Sequence, residues 1–73
     1  MENKIKTIVE EVLKEKIPHS EYDLYELGAD SLSAIKIVCY LEEEFNINIE
    51  DDDLDIDNFV SLNSIKEMIE KYV

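Results

Sequence analysis

The chain has one cysteine, one proline, one glycine and no tryptophan in 73 residues. With Cys39 as the only thiol, no disulfide can staple the fold within the chain. A lone thiol suits a reducing compartment, so a cytoplasmic setting is expected. There is no signal-like or membrane-length apolar run, so neither a leader nor a membrane span is expected. Gly/Ser linkers and internal repeats are missing too, and the length suits one small domain over residues 1–73. A core of that size is marginal unless its helices are well idealised. Bases are also scarce: 7 Lys and Arg against 19 Asp and Glu give a formal net charge of −12. Such a chain will not bind nucleic acid or an anionic membrane through bulk charge. It should be drawn to proteins with basic faces, with association weakened by salt. It also repels itself, so cations should stabilise it, and a monomer is expected.

What is present reads as helices. Ile5, Ile8, Val9, Val12 and Leu13 follow the spacing of one helix face. Pro18 closes that helix, which is expected to end near Lys16, because the residue before a proline avoids helical angles. From His19 to Asp30 runs a long polar loop with Tyr22, Leu24 and Leu27 as apolar anchors. Loops of that length in small domains are often functional. A second helix is expected from Ser31 to Phe45, with Asp30 as its cap.

Between Glu42 and Asp57 lie nine acids and no Lys or Arg. The interleaved Phe45, Ile47, Ile49, Leu54, Ile56 and Phe59 argue against disorder. They predict a solvated connector that pins its apolar residues into the core. A short helix or turn follows around Asp55 to Phe59. The last helix begins after Ser61 as N-cap and buries Leu62, Ile65, Met68, Ile69 and Tyr72. Phe45 to Ile49 alternates with a period of two, but one short run has no strand to pair with.

The second helix is over-apolar. At about 100° per residue, Ala34, Ile37, Val38, Leu41 and Phe45 share one arc. Leu32, Ile35 and Cys39 fall nearly opposite. That second arc either packs under the long loop or stays exposed as a docking stripe, with Lys36 and Glu43 flanking it.

Ser31 stands where the loop meets this helix, in Leu27-Gly28-Ala29-Asp30-Ser31-Leu32. A hydroxyl in the first turn of a helix is exposed, and the unpaired N–H groups there favour an attached phosphate. The plainer reading is a helix cap, but Asp30 fills that role more naturally. His19, Ser20 and Asp23 are close in sequence, which is no sign of a hydrolytic triad, since triads assemble in space. Asp51, Asp53, Asp55 and Asp57 lack the glycine and terminal glutamate of an EF-hand loop, so no metal site is read there. No local sequence feature activates the Cys39 thiol, so it is not read as a nucleophile. No catalytic residue is expected.

The run Asp23 to Leu32 resembles the phosphopantetheine attachment region of acyl and peptidyl carrier proteins. The resemblance extends through Ile35, Val38, Leu41, Glu42-Glu43-Glu44-Phe45, Ile47, Ile49 and the final helix, covering essentially the whole chain. It implies an all-α four-helix bundle of the acyl-carrier type, with three longer helices and one short one, and no enzymatic activity. It implies that a phosphopantetheinyl transferase moves 4′-phosphopantetheine from coenzyme A onto Ser31. The thiol of that arm would then hold acyl, aminoacyl or peptidyl groups as thioesters.

By the same resemblance Leu32, Ile35 and Cys39 meet partners, and the charge pattern adds Lys36, Glu42 and Glu43 as charged contacts. The implied partners are a loading enzyme, adenylating or acyl-transferring, and condensing or tailoring enzymes. Fatty-acid carriers commonly place acids where this chain has Ser33 and Lys36. That departure favours a specialised, polyketide- or nonribosomal-peptide-like pathway over the housekeeping fatty-acid system. Two competing readings are an unmodified acidic adaptor with the carrier fold and an acidic mimic of nucleic acid.

Overall fold

The computed structural model describes residues 2–73. Three α-helices, α1 (Glu2–Leu13), α2 (Ser31–Phe45) and α3 (Leu62–Glu70), are joined by segments holding 3₁₀ turns at Leu24–Leu27, Asp51–Asp53 and Ile56–Phe59. No strand occurs among the described residues. This is the all-α bundle that the sequence predicts, with its short fourth helix reduced to the turn Ile56–Phe59. Helix α1 packs against both α2 and α3, and the Ile56–Phe59 turn packs on α3.

Helix α1 buries Ile5 and Val9, with Ile8, Val12 and Leu13 packed at the margin of the core. It stops at Leu13, short of the end expected near Lys16. Lys14 takes a left-handed φ of 58°, and its N–H closes on the Glu10 carbonyl at 2.8 Å. The chain then turns so that Ile17 enters the core. The Ile17 N–H is accepted by Glu10 Oε2 at 2.7 Å. Burying an isoleucine with its amide satisfied outweighs one more helical turn of exposed Lys14, Glu15 and Lys16.

The long loop is tied down rather than loose. Leu24 is fully buried, and its N–H reaches the Val60 carbonyl at 2.8 Å. Asp23 Oδ1 accepts the Tyr25 N–H at 2.9 Å and starts the first 3₁₀ turn. Gly28 ends that turn at φ 95°, a left-handed backbone that a Cβ would strain.

Helix α2 spans the residues expected of it and ends on Asn46, also left-handed at φ 55°. Its first apolar arc supplies the buried Ile37, Val38 and Leu41, with Ala34 and Phe45 half-buried. In the connector, Ile49 and Phe59 are buried and Ile47 is partly so. Leu54 and Ile56 break the expectation: they are 45% and 67% exposed. The backbone explains this. Asp53 is pulled against the end of α3, and the Ile56 carbonyl is held by the Tyr25 hydroxyl at 3.2 Å. Side chains three apart in a 3₁₀ turn point the same way. Ile56 and Phe59 both line one groove with residues of α2, Phe59 buried and Ile56 exposed.

Ser61 caps α3, its Oγ accepting the Ser64 N–H at 3.1 Å. Leu62, Ile65, Met68 and Ile69 are buried as expected. Tyr72 lies beyond the helix end, half-buried through its ring and hydrogen-bonded through its hydroxyl.

Candidate functional site

The start of α2 is built by a reciprocal cap. Asp30 is extended, with φ −148° and ψ −175°. Its Oδ1 accepts the Ser33 N–H at 2.8 Å, and Ser33 Oγ accepts the Asp30 N–H at 2.8 Å. The Ser33 hydroxyl also donates to the Asp30 carbonyl at 3.0 Å. Hydrogen bonds from the Ser33 backbone and side chain hold the Asp30 carboxyl below the ordinary range, and Lys36 adds a smaller pull. Asp30 and Ser33 thus do the capping. Ser31, the first residue of α2, is exposed and stands outside the box.

The second apolar arc of α2 is uncovered. Leu32 and Ile35 are 63% and 60% exposed, and Cys39 is exposed beside them. The long loop does not fold over it. On the connector side this arc borders a groove of about 330 Å³. Ser31, Ala34, Ile35, Val38 and Cys39 form its α2 wall. Leu54, Ile56 and Phe59 form the facing wall, and Tyr25 lines the groove too. An exposed serine therefore lines a mostly apolar slot, where a flexible substituent can either lie in the slot or swing out into solvent.

The charged candidates divide. Lys36 is exposed on the α1 flank of α2, in a cleft with Lys14 and Tyr40. Glu43 is exposed on that flank too, beside Lys4 and Thr7. Glu42 turns inward: it is half-buried, and its Oε2 accepts the Ile49 N–H at 2.8 Å. It clamps the connector to α2.

Three groove residues escape a reading of the sequence alone: Tyr25, Leu54 and Ile56. The available signal was the presence of bulky apolar residues within a run of acids. Burial chiefly, then Asp23, Asp57 and Asp55, pushes the Tyr25 hydroxyl above its ordinary pKa, so it stays a donor to Ile56.

The other sequence candidates are engaged separately. His19 Nδ1 accepts the Glu21 N–H at 3.3 Å. Asp23 caps a turn, and Asp55 caps the next by accepting the Asp57 N–H at 3.0 Å. Among the described residues no group of His, Cys, Asp or Glu is arranged to hold a metal ion. No helix described is long and apolar enough to cross a membrane.

Comparison with known proteins adds an independent line. The family described as "Phosphopantetheine attachment site" matches residues 3–70. An acyl carrier protein of Buchnera aphidicola subsp. Baizongia pistaciae is 37% identical, covering 100% of this chain and 95% of that protein. An acyl carrier protein of Desulforapulum autotrophicum is 34% identical, covering 97% and 95%. Among solved structures, this chain is similar to one titled as an engineered Bradyrhizobium japonicum glycine:[carrier protein] ligase complexed with a carrier protein from Agrobacterium tumefaciens and AMP. The TM-score is 0.85 at 26% identity, over 96% of this chain and 99% of the matched one.

Proposed function

This chain belongs to the phosphopantetheine-bearing carrier family that includes the acyl carrier proteins, and from that premise we propose that Ser31 is the residue that bears the arm. The observation that carries this reading is the reciprocal Asp30–Ser33 cap, which leaves the exposed Ser31 outside it and lining the groove. The residues fit a 4′-phosphopantetheine group. Its phosphate would sit at the N-terminal turn of a 15-residue helix, where the dipole favours an anion. The arm supplies a terminal thiol that holds acyl, aminoacyl or peptidyl cargo as thioesters. The fold positions and the partners catalyse, so no residue of this chain is assigned a catalytic role.

The chain's own residues do three things in this account. Asp30 and Ser33 fix the geometry around the attachment oxygen. Leu32, Ile35 and Cys39 offer partners an apolar stripe beside it, with Lys36 and Glu43 setting the charge that a partner must match. The groove offers apolar cargo a place out of water. One core runs from Ile5 to Ile69, which supports a single carrier unit over residues 1–73. The partners are a phosphopantetheinyl transferase, a loading enzyme and the condensing or tailoring enzymes that use the cargo. A cytoplasmic setting and a monomer suit a lone thiol and a net charge of −12.

We further propose a specialised pathway with an adenylating loader. Ser33 and Lys36 support it, because they replace with a hydroxyl and a cation the acids expected of fatty-acid carriers. The ligase in the similar solved structure, crystallised with AMP and a carrier protein, supports the same class of loader. The second reading is a housekeeping fatty-acid carrier, which the curated relatives named acyl carrier protein favour. Competitive loading tests the choice. The arm-bearing chain is offered to an aminoacyl-adenylating ligase and to a malonyl-transferring enzyme together, with Ser31→Ala as blank. Preferential aminoacyl loading is expected, and faster malonyl loading would contradict the specialised assignment.

A further inference from the structure

The groove beside Ser31 has one wall on a helix and one on a connector. The helical wall is held by packing of α2 on α1. The connector wall is anchored at one end by the buried Phe59, but Leu54 and Ile56 are exposed, so their own burial does little to fix its outer part. Tethers do more. Glu42 holds the near end at Ile49, and Tyr25 holds the Ile56 carbonyl. The densest set of tethers converges on Asp53, immediately before Leu54.

Asp53 Oδ1 accepts from Lys71 Nζ at 2.6 Å, and Asp53 Oδ2 accepts from the Tyr72 hydroxyl. The Tyr72 oxygen in turn accepts the Glu50 N–H at 3.0 Å. The Asp53 carbonyl accepts from Asn58 Nδ2 at 2.7 Å. Two residues just past α3 therefore grip both ends of the Asp51–Asp53 turn, and Asn58 braces it from the far side of Ile56. Lys71 and Tyr72 hold the Asp53 carboxyl below its ordinary range, and Asp53 raises Tyr72.

We propose that the Asp53–Lys71–Tyr72 node is the positioning element that sets the outer wall of the groove, so that residues beyond α3 govern how far an aliphatic group attached through Ser31 is covered. The inference rests on the reading of Ser31 as the attachment residue and of the groove as cover for its cargo. Asp53 and Tyr72 touch no cargo themselves. They act through Leu54 and Ile56.

Two readouts test it on the full chain, with Tyr72→Phe and Asp53→Asn as variants. The first is amide hydrogen exchange in the unmodified protein. Exchange at Leu54, whose N–H is bonded to the Asp51 carbonyl at 3.0 Å, should rise about fivefold, as when a tether of ordinary hydrogen-bond strength is lost from the closed state. Amides of α1 and α2 should be unchanged. The second is cleavage of an octanoyl thioester on the arm by hydroxylamine, which should also be about fivefold faster in the variants than in the wild type.

A rise in exchange confined to residues 71–73 would overturn the inference, as would a uniform rise across all helices. So would unchanged cleavage in both variants when the wild-type thioester is protected. Wild-type cleavage as fast as that of a free pantetheine thioester would overturn the cargo-cover reading, and the inference with it. Failure of the foundation and failure of the node are thus told apart.

Discussion

Asp30 and Ser31 are neighbours in opposite situations: Asp30 is bonded to the backbone as a cap, while Ser31 is exposed and is the residue proposed to bear the arm. The Asp30 carboxyl is held low by its bonds to Ser33, so its contribution to stability exists above the unfolded carboxyl value. It is lost as the pH falls through the lower folded value. Asp30→Ala should therefore lower the thermal midpoint by a few degrees at pH 7, and the difference should fade as the pH drops below about 4. A difference that persists unchanged into acid would show that the carboxylate is not the group at work. Ile35 sits on the other side of the account. At 60% exposure, Ile35→Asp should leave the far-ultraviolet circular dichroism intact while slowing transfer and loading about tenfold, the size of a modest interface anchor. Unfolding of Ile35→Asp would place the residue in the core instead. Lys36→Glu should shift preference towards partners that read an acidic second helix, measured as the ratio of loading rates with two enzymes.

Elements were legible in the sequence where apolar periodicity was strong. Helix α2 and the start of α3 fall where Asp30 and Ser61 predict, because a short polar side chain before an apolar run both caps and stops alternatives. The second arc of α2 was legible as a choice, and the bundle decides it by leaving Leu32 and Ile35 uncovered. The end of α1 was not legible, since Pro18 marks only where a helix must have stopped, whereas Glu10 and Ile17 decide where it does. Leu54 and Ile56 were misplaced for a related reason: hydrophobicity states that a residue can be buried, but not that the core has room. The Asp53 node draws on residues 18 and 19 positions apart, which no local pattern reveals. Lys14→Gly should raise stability by about 0.5 kcal/mol, the relief of a left-handed non-glycine residue less the entropy that glycine adds to the unfolded chain. Leu24→Ala should cost about 2–5 kcal/mol in a denaturant titration despite its place in a loop. Against a total stability of about 5–15 kcal/mol, that loss leaves the small bundle near unfolding.

Charge is distributed unevenly over the molecule. In residues 2–16 four lysines balance four glutamates, so the whole net charge of −12 lies on residues 17–73. The loop 17–30 and the connector 46–61 carry ten of those charges, and α1 packs against α2 and α3 as the support. Added salt should raise the thermal midpoint of the free chain by screening this repulsion, and weaken association with a basic partner over the same range. We propose that this fold presents the Ser31 hydroxyl for modification. Intact mass after incubation with coenzyme A and a broad-specificity phosphopantetheinyl transferase tests it most directly. The wild-type chain should gain the mass of one 4′-phosphopantetheinyl group while Ser31→Ala, with an unchanged helical spectrum, gains none. No gain in the wild type, or the same gain in Ser31→Ala, would contradict the account.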